Sequence, residues 1–190
     1  MQPPTAPRAR KPQRRRWRGL LVNLAIVLVI FLGVQWYKSR PLASGSAPPL
    51  AGETALGKHL DLAGLRGAPT LVHFWATWCP TCKLEEGGID ALSRDYQVVT
   101  VAMQSGGRQE VVDYLREKGL GFDAIPDPYG EIASAWGVPA VPASFVLDAA
   151  GKIRFGAVGY TPAIALRGRL WAMGGAAKRH ENAAPAVGEQ

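Results

Sequence analysis

Residues 70–86 read TLVHFWATWCPTCKLEE, and the hydrophobic pattern changes period inside them. Thr70 to Ala76 is an almost continuous apolar run, as expected of a strand buried on both faces of a sheet. From Pro80 the pattern turns helical: proline suits a first helical turn, and Leu84, Ile89 and Leu92 then recur at helical spacing. The strand-to-helix junction therefore falls on Cys79-Pro80-Thr81-Cys82, whose first and last residues are the chain's 2 cysteines.

Working outward, Val98 to Met103 reads as a second strand. Arg108 to Lys118 reads as a helix with Val111, Val112 and Leu115 as its buried stripe and Gly119 as its stop. A short helix over Gly130 to Trp136 follows. Strands at Ala143 to Leu147 and Ile153 to Val158 are joined by the turn Asp148-Ala149-Ala150-Gly151, and a last helix covers Pro162 to Met173. Ahead of the first long strand, Thr54–Leu56 and His59–Leu62 suit a small hairpin. Strands alternating with helices and ending in a hairpin and helix give an α/β fold, a mixed central sheet with helices on both faces.

The chain has 190 residues, 47% hydrophobic and 19% charged, enough to bury one core and too apolar for wholesale disorder. Its net charge of +7 suggests nucleic acid, but position answers otherwise. Seven basic residues and no acidic one lie in residues 1–18, leaving 15 basic against 15 acidic side chains elsewhere. The globular part thus has no basic field for a phosphate backbone, and no nucleic-acid partner is expected.

Residues 19–37, GLLVNLAIVLVIFLGVQWY, carry no charge. As a helix they span about 28 Å, close to the hydrocarbon core of a bilayer, with Trp17, Trp36 and Tyr37 at its edges. The reading is an uncleaved transmembrane anchor with residues 1–18 as a basic cytoplasmic tail. A cleaved signal peptide is the alternative, although the apolar run is longer than its usual core. Residues 38–49 have linker composition, 50–173 form the domain outside the cytoplasm, and 174–190 read as a disordered tail.

The chemistry centres on the cysteines. At the exposed first position of the helix, Cys79 meets free N–H groups and the positive end of the helix dipole, which lower a thiol pKa. Cys79 is therefore the expected nucleophile, and Cys82, one turn on, the thiol that resolves a mixed disulfide. A structural disulfide would close too small a ring to stabilise this fold. A pair of thiolates holding Cu(I) is the rival from another class, so copper binding or delivery stands as the alternative function; no resident metal is expected.

FWATWCPTCKLEE and VPASFVLDAAGKI resemble the active-site segment and the downstream strand-turn-strand of thioredoxin-fold proteins. The resemblance spans roughly residues 50–173. It is greatest to the membrane-anchored TlpA-like group of thiol-disulfide oxidoreductases, and within it FWATWCPTC, LEEG and VAMQSG are most similar to the suppressor-of-copper-sensitivity ScsD type. The 60-residue step from Cys82 to Pro142 leaves room for the strand-helix insert of that group. The resemblance implies that Cys79 attacks, Cys82 resolves and Pro142 is a cis-proline, exposing the backbone of Val141 to an extended substrate. It also implies protein dithiol or disulfide substrates, a membrane electron donor of the DsbD/ScsB kind, no dissociable cofactor, and reduction rather than oxidation at the periplasmic face of a bacterial inner membrane.

Departures from the thioredoxin pattern matter. His73 stands where thioredoxin has a buried aspartate; it is either a proton acceptor for Cys82, a cation lowering a thiol pKa, or a packed core histidine. Gly87 and Gly88 stand where a helix-kinking proline is usual. Glu85 either tunes Cys82 or solvates the helix surface. Trp78 is expected on the surface beside Cys79 and Trp75 in the core, while Pro80 and Thr81 between the cysteines affect the potential. Trp136 and Trp171 read as helix-packing residues, and His59 and His180 as solvent-facing.

Overall fold

A computed structural model describes residues 14–39 and 42–174. The basic stretch before residue 14 and the tail beyond 174, with His180, lie outside the described residues. The chain divides into two compact units near residue 38.

The first unit holds helix α1, Arg14–Ser39. Its side chains are described for residues 21–33, where every position is exposed. Among the described residues no helix is long and apolar enough to cross a membrane.

The second unit is built on a six-stranded sheet. In chain order its elements are β1 (Gly45–Ser46), β2 (Ala51–Glu53), β3 (His59–Asp61), β4 (Thr70–Trp75), α2 (Pro80–Asp95), β5 (Gln97–Met103), α3 (Arg108–Lys118), β6 (Ala124–Asp127), α4 (Glu131–Ala135), β7 (Ala143–Leu147), β8 (Lys152–Val158) and α5 (Ala163–Ala172). The sheet runs β1-β8-β7-β4-β5-β6. β4, β5 and β6 are parallel, while β7, β8 and β1 each join antiparallel. β2 and β3 form a separate hairpin.

Strand periodicity sorts β4 onto two cores. Leu71 and Trp75 join Ile89 and Leu92 of α2, Val111 and Leu115 of α3, and Leu166 and Leu170 of α5. Val72 and Phe74 join Val99, Val101, Ala133, Trp136 and Phe145 on the opposite face. There Phe74, Trp136 and Phe145 meet with ring centroids 5.0–5.9 Å apart. His73 lies between Leu71 and Trp75 in the alternation, so it points to the face covered by α2 and α5. The mixed α/β thioredoxin-like fold expected from the sequence is the fold observed.

Three readings change. Residues 42–49, read as linker, are docked: the Ala43 amide donates to Trp136 O at 3.0 Å, β1 pairs with β8, and the Ala47 amide donates to Gly151 O at 3.1 Å. The first arm of the small hairpin lies at 51–53, earlier than the composition suggested. β6 was not foreseen, because Pro126 within a four-residue strand masks the signal; at the sheet edge its missing N–H is tolerated. Gly119 ends α3 as expected, at φ +64°, where a Cβ would be strained; the Leu120 amide then closes on Leu115 O at 2.9 Å.

Candidate active site

The two cysteines meet where β4 delivers the chain to the N-terminus of α2. Cys79 is the N-cap of that helix, in extended conformation, with Pro80 at the first helical position. The Cys82 amide donates to Cys79 Sγ at 3.1 Å, so a free helical N–H already points at the sulfur that would carry negative charge. Cys79 and Cys82 are joined as a disulfide, with Cα atoms 5.3 Å apart. Cys79 is only 3% exposed, contrary to the exposed position expected of it. In the disulfide its sulfur turns back over the helix end and packs 3.7 Å from Val141 O. Pro80 and Thr81 are exposed on the rim, and Cys82 is buried.

Across from the cysteines the Val141–Pro142 peptide is cis. Val141 is half-buried, and the Pro142 carbonyl accepts from the Gly159 amide at 2.7 Å. This joins the start of β7 to the end of β8 beside the disulfide.

Trp78 is 56% exposed, as expected, but it is fastened. Its Nε1 donates to Gln104 O at 2.9 Å, and the Thr77 amide donates to Ser105 Oγ at 3.0 Å. Gln104, with φ +48°, is the described non-glycine residue in the left-handed region. Sequence reasoning gave Gln104 and Ser105 no role; they appeared only within the VAMQSG resemblance. Trp75 is buried, as expected, with Nε1 donating to Thr100 Oγ1 at 3.2 Å.

Beneath the disulfide lie two buried titratable groups. Glu85 is one turn beyond Cys82 on the buried face of α2 and is 4% exposed, so it does not solvate the helix surface. Its Oε1 accepts from the Thr161 amide, while Oε2 has no hydrogen-bond partner. Burial pushes its carboxyl up to about 7, against the opposing pull of the Thr161 amide. His73, 2% exposed, shares a 3.0 Å hydrogen bond between Nδ1 and Ser144 Oγ. Its Nε2 lies 3.9 Å from Glu85 Oε2. Burial lowers the imidazole to about 4, so at neutral pH it carries no charge and the cationic reading fails. Thr161 was missed; no motif marks a backbone amide in a loop.

Away from the site, Trp136 packs in the core as expected. Trp171 does not: it is 73% exposed, because Leu166 and Leu170 already occupy the inward face of α5. His59 is exposed, as expected. Among the described residues no three His, Cys, Asp or Glu side chains converge as a metal-binding group.

Residues 44–155 match the AhpC/TSA family, over more than half of the chain. The chain belongs to that family. It is 30% identical to a thioredoxin-like protein of Haemophilus influenzae over 152 residues, covering 79% of this chain and 90% of the relative. It is also 30% identical, over 153 residues, to the thiol:disulfide interchange protein DsbE of Escherichia coli, covering 72% of this chain and 82% of that one. Among solved structures, a putative thiol:disulfide interchange protein DsbE from Chlorobium tepidum superposes with a TM-score of 0.61 at 27% identity, covering 70% of this chain and 98% of the other. The family member described here is an enzyme, a thioredoxin-like protein-disulfide oxidoreductase of the DsbE type.

Proposed function

We propose that this protein is a membrane-anchored periplasmic reductase of protein disulfides, of the TlpA-like and ScsD type, in which Cys79 attacks and Cys82 resolves. The observation that carries the reading is the placement of Cys79 Sγ: it accepts the Cys82 amide at the start of α2 and lies 3.7 Å from the Val141 carbonyl.

In the reduced enzyme the Cys79 thiolate attacks one sulfur of a substrate disulfide. That S–S bond breaks, a Cys79–substrate disulfide forms, and the other substrate sulfur leaves as a thiolate and takes a proton from water. Cys82 then gives its proton to Glu85 and attacks Cys79 Sγ, closing the internal disulfide and releasing the second substrate sulfur. Two electrons pass from the dithiol to the substrate, and the dithiol serves as the redox group without a dissociable cofactor. Val141, beside the cis Pro142, offers backbone groups to an extended substrate strand, and Trp78 walls the approach to Cys79. Pro80 and Thr81 lie at the exposed rim where a partner's surface arrives.

The anchor reading draws on α1, whose described side chains from Leu21 to Leu32 leave large apolar groups at least half exposed. A helix apolar all round needs a lipid or protein environment. The seven basic residues within 1–18, ahead of the uncharged 19–37 stretch, favour a cytoplasmic N-terminus. Reduction at the periplasmic face then requires electrons from a membrane thiol carrier of the DsbD/ScsB kind. The resemblance to TlpA-like proteins favours this direction.

Replacing Cys82 by Ala removes the resolving thiol and leaves the attacking one. Cys82→Ala is expected to accumulate covalent, reductant-sensitive adducts with partner proteins in cells, and the Cys79→Ala, Cys82→Ala double variant none. Absence of adducts from Cys82→Ala counts against disulfide exchange. Stoichiometric Cu(I) binding, with function surviving Pro142 substitution, would support copper delivery instead.

A further inference from the structure

The proton that leaves Cys82 needs a base whose affinity suits neutral pH, and Glu85 is held in a site that opposes ionisation. One of its oxygens has an amide donor; the other, Oε2, is buried with no partner at hydrogen-bond distance. A lone buried carboxylate oxygen is costly. The group that faces it is the His73 imidazole, Nε2 to Oε2 at 3.9 Å. The other imidazole nitrogen is tied to Ser144 Oγ on the neighbouring strand, in register with His73.

We propose that His73 is a positioning residue for the exchange: with the Ser144 hydroxyl donating to Nδ1, the neutral ring carries its proton on Nε2, faces Oε2 with it, and holds Glu85 in the ionised form that accepts the Cys82 proton. The inference rests on the exchange reading above and assigns a role to a residue that reading does not use. Closing the 3.9 Å approach by about 1 Å on ionisation makes a full hydrogen bond. Serine is suited to the task because it can donate to Nδ1 while leaving the ring neutral, and neutrality is what burial of the ring already enforces.

The surroundings leave no other candidate donor among the described residues. On α2, Glu86 accepts from Tyr114 OH, Asp90 is occupied by Arg94 and the Gly121 amide, and Lys83 is exposed. On α5, Arg167 pairs with Asp95 and Arg169 stacks on Phe155. On β5, the Thr100 hydroxyl donates to Asp123 O and accepts from Trp75. On the β8–α5 loop, Thr161 supplies its amide to Oε1 and Tyr160 is exposed.

The test is single-turnover reduction of a peptide disulfide by the reduced full-length protein in detergent, from pH 5 to 9. Two thiol-release phases are separated: attack, which depends on peptide concentration, and resolution, which does not. His73→Leu removes the donor and should move the pH midpoint of resolution upward by about one unit, slowing resolution at pH 7 about fivefold while leaving attack unchanged. His73→Gln, which keeps an N–H near the Nε2 position, should hold the midpoint. An unmoved midpoint in His73→Leu overturns the proposal, as does a His73→Gln midpoint that moves as far. If His73→Leu does not fold, Ser144→Ala decides: a smaller upward shift supports the role, and no shift overturns it. Wild type that shows attack but no resolution would overturn the exchange reading itself, and this one with it.

Discussion

At the scale of single residues, His73 and Glu85 respond to pH in opposite senses. Glu85 is raised from 4.5 to about 7. Between those values the unfolded chain has released the proton and the folded chain keeps it, so this group's contribution to stability falls as pH rises. His73 is lowered from 6.5 to about 4. Between those values the unfolded chain holds a proton that the folded chain lacks, so its contribution rises with pH. The two slopes oppose each other from pH 4.5 to 6.5, each worth on the order of 2 kcal/mol once solvent screening is allowed for. Urea unfolding of the oxidised protein should therefore show little pH dependence from this pair in the wild type. Glu85→Gln should gain stability between pH 4.5 and 6.5, and His73→Gln should lose it. Parallel curves for all three proteins would refute the buried, oppositely shifted pair. The sequence made the cysteines legible, because two residues of rare type at fixed spacing carry their chemistry with them. It left His73 and Glu85 undecided, because burial and partners come from β7 and the β8–α5 loop, about 70 residues away in the chain.

Secondary elements show a comparable division between what local pattern determines and what packing determines. Strand β4 and helix α2 were readable because an apolar run, a proline and a helical stripe coincide within 25 residues. β6 and β1 were not: one contains Pro126, the other is two residues long, and both exist because a sheet edge accepts them. The Gly87-Gly88 pair illustrates the difference within one helix. Both stand in the interior of α2, where glycine costs about 1 kcal/mol relative to alanine. A Cβ on Gly87 would meet nothing within 4 Å, whereas one on Gly88 would lie 2.7 Å from Ala163 Cβ at the start of α5. Gly88 is thus a packing requirement between two helices, and Gly87 is not. Gly87→Ala should stabilise the protein by about 0.5–1 kcal/mol. Gly88→Ala should destabilise it by about 1–3 kcal/mol, by forcing α2 and α5 apart. Equal effects at the two positions in chemical denaturation would refute the close approach.

For the whole molecule, charge and apolarity are distributed along the chain in a way that bears on location. An uncharged 19-residue stretch behind seven basic residues is expected to keep the protein in the membrane pellet after alkaline carbonate extraction. Recovery in the soluble fraction would remove the anchor from the proposal. Direction is a separate matter, since the same dithiol geometry serves reduction and oxidation. The periplasm is kept oxidising, so a dithiol left there without supply ends as a disulfide. A reductase escapes that fate only while a membrane carrier returns electrons faster than substrates and oxidants remove them. Acid quenching of intact cells followed by thiol alkylation should therefore find Cys79 and Cys82 mostly reduced, and mostly oxidised once the membrane thiol carrier is deleted. A pair that is mostly oxidised with the carrier present, and indifferent to its loss, would reverse the proposed direction and make this protein a disulfide donor. The geometry at the N-terminus of α2 would still stand in that case, because a stabilised Cys79 thiolate is as good a leaving group from a mixed disulfide as it is a nucleophile toward one.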